Sequence, residues 1–150
     1  MAPAARLVIL LAATIWHVGL VALLWKGSAL LMEADAIDPG HIWPWLGIPA
    51  ALLIGGLKGR FLLVPAVRGN LTRIAALEGR ARPWHVYRPG FFVFLVLNVL
   101  LARWVIAWSE GQYVLTILCG TMLLSIAVAL LVSSPGWWRA DAVVRDATAG

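Results

Sequence analysis

Four long apolar runs organise the chain. The first extends from Leu7 to Trp25, 19 residues without a formal charge, and resumes past Lys26 through Ala29-Leu30-Leu31-Met32. The second begins at Trp43, reaches Leu57 before Lys58, and resumes as Phe61-Leu62-Leu63-Val64. The third runs from Phe91 to Trp108, interrupted by Arg103, and the fourth covers Tyr113 to Val132, 20 residues with no charge. A membrane-spanning helix needs about 20 apolar residues, whereas a membrane strand needs about 9–11 of alternating polarity. Continuity and length favour helices, which also satisfy every backbone group within their own segment. The pattern predicts helices over about 7–32, 43–64, 91–108 and 113–132.

The connection at 65–90 has a different rhythm. Val67, Leu71, Ile74 and Leu77 recur at helical spacing, while Arg68, Asn70, Arg73 and Arg80 occupy other faces. Glu78 precedes Arg82 by one helical turn, a pairing distance. The spacing predicts a short basic amphipathic helix over 66–80. It either lies on the membrane surface or prolongs the second helix, which Pro65 is expected to kink or break. Residues 135–150 are expected to form a short tail.

Composition turns this pattern into a membrane assignment. The 150 residues are 62% hydrophobic and 13% charged; soluble domains average roughly 45–50% and 25%. A single small domain cannot hide so much apolar surface from water. One cysteine excludes an intramolecular disulfide framework or a cysteine-rich zinc module. The expectation is an all-α integral membrane protein, one domain over 1–150, with four transmembrane helices in an antiparallel bundle. A cleaved signal peptide competes for the first run, with Arg6 as its basic flank and Ala34-Asp35-Ala36 as the cleavage site. That run is longer than the 7–15 residues typical of a signal core.

Charge orients the bundle. Lys58, Arg60, Arg68, Arg73, Arg80, Arg82 and Arg88 crowd the connection between the second and third helices, with Glu78 its lone acid. The first connection carries Glu33, Asp35 and Asp38, and the third is a tight Ser109-Glu110-Gly111-Gln112 turn. The positive-inside rule puts the basic connection, and with it both termini, in the cytoplasm. Tryptophans fit this layout: Trp25, Trp43, Trp45, Trp104 and Trp108 toward the outer boundary, Trp84, Trp137 and Trp138 toward the inner one. Trp16 falls near mid-membrane as a packing residue. The net charge of +5 is then a matter of topology, and no nucleic-acid partner is expected.

Candidate sites follow from polar groups at depth. Lys58 lies about 22 Å along the helix from Trp43, where its stem can snorkel to the inner face or, with Arg60, hold an anion or lipid phosphate. Arg68 and Arg73 extend this lipid-binding group toward anionic headgroups. Arg103 is expected to pair with an outer-side acid, Glu110 or Glu33 among them, or else to serve as a charge at a pore mouth. Gly55, Gly56 and Gly59 allow close helix approach, and His17 and Asn98 are candidates for hydrogen bonds between helices. The three histidines fall at different depths and cannot share a metal. No cofactor motif is present, and Ser133, Ser134 and Lys58 are the single arrangement with nucleophilic character, without an orienting group. No enzyme is expected. The two hairpins also show a slight internal similarity, as chance patterning of apolar helices would.

The stretch Gly56-Leu57-Lys58-Gly59-Arg60-Phe61, followed by Asn70, Arg73-Ile74 and the late Ser133-Ser134, resembles a family of small, four-helix, functionally uncharacterised bacterial inner-membrane proteins. The resemblance implies a compact protein of the bacterial inner membrane and brings no activity with it. The Arg82-Pro83-Trp84-His85-Val86-Tyr87-Arg88-Pro89 segment departs from that pattern. Two functions are expected from the residues themselves. One is an accessory or assembly subunit that meets anionic lipid and a partner membrane subunit. The other is a small homo-oligomeric transporter or channel for an anion or small solute.

Overall fold

A computed structural model describes residues 3–76, 89–109, 111–140 and 142, with the side chains of 6–76, 96, 99–100, 102–109, 111–140 and 142. Among these residues every regular element is helical. Helix α1 spans Pro3–Ile37 and α2 spans Trp43–Lys58. A π-helical turn, Gly59–Leu63, leads directly into α3, Val64–Ala75. Helices α4, Pro89–Ser109, and α5, Tyr113–Ser133, form a hairpin, and a single turn, α6, Pro135–Trp138, follows. Three stretches, Arg6–Ile37, Trp43–Ala75 and Tyr113–Trp138, are long and apolar enough to cross a membrane.

The π-helical turn resolves what Pro65 does. Proline lacks an N–H and its ring collides with the carbonyl four residues back, here that of Phe61. The preceding turn is widened to make room for the ring: the Val64 N–H reaches the Gly59 carbonyl, five residues back. The helix therefore runs through Pro65, and the basic amphipathic segment prolongs α2. Pro49, inside α2, is also passed without a break.

Helix α5 is the centre of the packing. It lies against α1 along one side and against α2 and the π-helical turn along another, while α1 and α2 touch each other little. Gly27 of α1 meets Gly120 and Leu124 of α5, and the Trp16 indole N–H donates to the Leu130 carbonyl at 3.1 Å. These contacts make α1 antiparallel to α5. Gly47 meets Thr121, Gly55 meets Ser125 and Val128, and Gly59 meets Ala129 and Val132, so α2 runs parallel to α5. Helix α4 packs against α5. Their turn is closed by Gln112 N–H to the Ser109 carbonyl at 2.9 Å and by the Thr116 hydroxyl, which reaches the Ser109 and Gln112 carbonyls at 2.9 and 3.0 Å. Gly111 supplies the positive φ of 74° that the turn requires.

This register shifts α1 from where its charge-free run suggests. Residues near 16–36 stand level with α5; the first dozen residues of α1 project past Ser133. There Val8, Ile9, Ala12, Ala13 and Trp16 form a buried cluster with Val67, Leu71 and Ile74 of α3 and with Trp137 and Ala140. Trp16 packs edge-on against Trp137 at 5.7 Å, so it belongs to this end of the molecule and not to its middle. Trp25 is 79% exposed and stands level with the middle of α5, not at its Tyr113 end. Outside this cluster the helices present apolar side chains outward, among them Val18, Leu52, Leu53, Leu100, Leu118 and Met122. A contiguous apolar surface of this extent suits lipid tails and not water.

Candidate functional site

Two features of the molecule combine unusual chemistry with defined geometry: a seam of small residues beside α5, and a set of cations around it.

The seam is built on every fourth residue of α2. Gly47, Ala51, Gly55 and Gly59 are all buried, one below another on a single helix face. A Cβ added to Gly59 would stand 2.8 Å from the Val132 Cβ and 2.9 Å from the Ala129 carbonyl oxygen. At Gly55 it would collide with the Ser125 carbonyl and with Val128, and at Gly47 it would meet the Thr121 hydroxyl. Gly27 and Gly120 do the same for α1 and α5, where an added Cβ at either residue lies 3.0–3.1 Å from the other's carbonyl oxygen. Close backbone approach of this kind replaces the hydrophobic driving force that lipid cannot supply. Gly56 does not belong to the seam: nothing lies within 4 Å of where its Cβ would be. It sits one residue, or about 100° of helical rotation, away from Gly55.

The expected hydrogen bond from His17 to another helix is replaced by a local one. Its Nδ1–H donates to the Ala13 carbonyl of the preceding turn at 2.7 Å, and its ring packs on Trp138 at 5.6 Å. The bond between α1 and α5 comes instead from the neighbouring Trp16. The Asn98 side chain and all of Glu110 lie outside the described residues, as do 77–88 with Glu78, Arg82, Trp84 and His85.

The predicted lipid-binding cations separate into two pairs along one continuous helix. Lys58, half-buried, ends α2, and Arg60 is exposed in the π-helical turn. Arg68 and Arg73 lie on α3, Arg68 eight positions, about 12 Å of helix, beyond Arg60. Arg68 is exposed, and Arg73 donates from Nε and Nη2 to the Asn70 side-chain oxygen at 3.3 and 3.0 Å. The buried face of α3 holds Val67, Leu71 and Ile74, so its polar residues are turned away from the core.

On the opposite end, Arg103 and Glu33 are not joined. Each is exposed on its own helix, and the carboxylate of Asp38 instead meets His41 Nδ1 at 3.1 Å in the α1–α2 turn. Ser133 and Ser134 commit their hydroxyl protons to α5 itself, Ser133 to the Ala129 and Leu130 carbonyls at 2.9 and 3.0 Å and Ser134 to Leu130 at 2.9 Å. Such bonds back to the preceding turn are the usual fate of helix-borne serines.

Two features go beyond the expectations above, and one of them left a signal in the chain. The four-residue spacing of Gly47, Ala51, Gly55 and Gly59 is visible in the chain and is the signal that identifies the α5-facing side of α2. The depth of Lys26 is not visible, because it depends on how α1 slides against α5. Lys26 is exposed, adjoins Gly27 at the α5 crossing, and has no ion-pair partner among the described residues. An apolar groove of about 760 Å³ runs along α1 below it, from Leu10 past His17 and Val18 to Trp25. No protein-family model matches this chain, and neither a curated protein nor a solved structure was found that does.

Proposed function

We propose that the chain is an accessory or assembly subunit of a membrane complex, held at its inner end by anionic lipid. The observation that supports this most is the close-packed seam between α2 and α5. Glycine-to-backbone contacts at Gly55 and Gly59 leave no room for a solvated path between these two helices, whereas the outer faces of α1 and α2 present broad apolar surface for other helices or lipid. Four spans complete the bundle, with both termini in the cytoplasm of a bacterial cell and the molecule in its inner membrane. The basic connection then faces the anionic leaflet, where each cation near the surface contributes about 1 kcal/mol. Arg60 and Arg68, both exposed, are its first contacts.

A second reading, a homo-oligomeric anion channel or transporter, draws on the exposed cations Arg60 and Arg103 and the half-buried Lys58. Copies would have to assemble so that these side chains line a shared path. Native mass spectrometry on protein extracted gently from its own membranes separates the two. A stoichiometric second polypeptide, with retained acidic lipid, is the expected result. A homo-oligomer without partners, with anion flux in vesicles that Lys58→Gln lowers, would overturn the subunit reading.

A further inference from the structure

Lys26 is an exposed cation with no ion-pair partner among the described residues. The apolar runs of α2, α4 and α5 agree with one another. Trp43, Trp108 and Tyr113 open or close them at one end, and Lys58 and Ser133 mark the other. Helix α5, 21 residues long, matches a hydrocarbon core of about 30 Å. Gly27 sits between Gly120 and Leu124, about midway along α5. Lys26 therefore stands about 10–15 Å from either boundary of that frame. Its stem extends roughly 6 Å, which cannot bring the ammonium to a headgroup.

The described acids are no help at that level. Glu33, Asp35 and Asp38 are about two to three turns farther along α1 and its following turn. A second copy brings the same described acids at the same depths. An ionisable group at mid-bilayer persists where it faces another protein segment or water and finds a partner. The groove along α1 reaches Trp25, next in the chain to Lys26, and its lining is mostly apolar, with Thr14 and His17 among the α1 residues and Trp138 beside them.

We propose that the exposed face of α1 docks a transmembrane helix of a different protein, one that carries a carboxylate at mid-bilayer depth to pair with Lys26. This rests on the accessory-subunit reading and names the chemistry of the partner. The apolar groove supplies the contact area, and the buried charge pair supplies the choice of partner and its vertical register, because either charge alone in lipid is costly.

The test uses the full-length protein, donor-labelled at its C-terminus, in phosphatidylcholine vesicles at about pH 8. The probe is an acceptor-labelled synthetic Leu/Ala transmembrane helix with one Asp at its centre. Energy transfer should report association about tenfold tighter than for the same helix with Leu in place of Asp. Moving the Asp to the helix end should remove the advantage. Lys26→Leu should remove it as well, and Lys26→Arg should keep it. Equal binding of the Asp- and Leu-centred probes by the native protein overturns the proposal without reference to any variant, as does undiminished preference in Lys26→Leu. Native mass spectrometry separates this from failure of the broader reading. A second polypeptide retained equally by native and Lys26→Leu protein refutes the Lys26 pairing and leaves the accessory role intact. A homo-oligomer alone removes both.

Discussion

Individual side chains decide how closely these helices approach. The Trp16 indole spans from α1 to the Leu130 carbonyl on α5 while its ring rests on Trp137. Replacing it by Phe keeps most of the ring contact and removes the donor. The expected loss is about 0.6–2 kcal/mol, read from the midpoint of reversible unfolding in mixed detergent micelles. The glycines separate in the same assay. Gly55→Val puts atoms where the Ser125 backbone and Val128 stand, and should cost about 3 kcal/mol or detach α2 from α5. Gly56→Ala meets nothing, and should be neutral or slightly stabilising, within about 1 kcal/mol. Part of this is legible in the chain: glycines at 55 and 59 stand one helical turn apart, and their use as a contact face follows from small size alone. That Gly56 looks away follows only once the helix phase is known from Gly47 and Ala51 as well. Likewise, His17 and Trp16 are adjacent polar candidates for an interhelical bond, and the phase of α1 on α5 gives that role to Trp16.

At the scale of elements, apolar length predicts the cores of the helices and not their ends. The fourth run, predicted at 113–132, is observed as Tyr113–Ser133, and the third, predicted at 91–108, as Pro89–Ser109. Where a polar turn bounds the run, as at Ser109 to Gln112, hydropathy and helix end coincide. The first helix is longer than its run on both sides, Pro3–Ile37, because nothing between Glu33 and Ile37 disfavours a helix. The second differs most: Pro65 reads as a breaker, and the π-helical turn at Gly59–Leu63 absorbs it. Restoring an N–H with Pro65→Ala should let that turn relax toward α-helix, changing by one residue which side of α3 meets α1. Val67, Leu71 and Ile74 would then lose their buried places, so the substitution should destabilise the inner cluster, visible as faster amide exchange in α3. The same helix carries the basic surface. Arg68→Gln with Arg73→Gln should weaken association with acidic lipid by about 2 kcal/mol in low salt, and by less as ionic strength rises. Equal retention of acidic and zwitterionic lipid by the native protein would contradict this.

At the scale of the whole molecule, α5 is the axis, and the other helices are set by where they meet it. The all-helical, membrane-type character is legible from composition and run length. The vertical register of α1 is not, since a helix of 35 residues, about 52 Å, is longer than a core of about 30 Å and can sit in it at more than one depth. Two side-chain facts choose the register: Gly27 fits only where another small residue, Gly120, lets the backbones touch, and Trp16 needs the Leu130 carbonyl. In the membrane frame proposed above, the charge-free run from Leu7 to Trp25 does not coincide with the membrane thickness, and Lys26 enters it. Spin labels measure that depth directly. Lys26→Cys, Met122→Cys and Trp45→Cys are each made in a Cys119→Ala background, labelled, and reconstituted in vesicles. Labels at 26 and 122 should share one depth, with high accessibility to oxygen and low accessibility to a water-soluble nickel complex, while the label at 45 lies nearer the surface. A label at 26 as shallow as the one at 45 would place Lys26 at the outer boundary and contradict the register of α1 on α5.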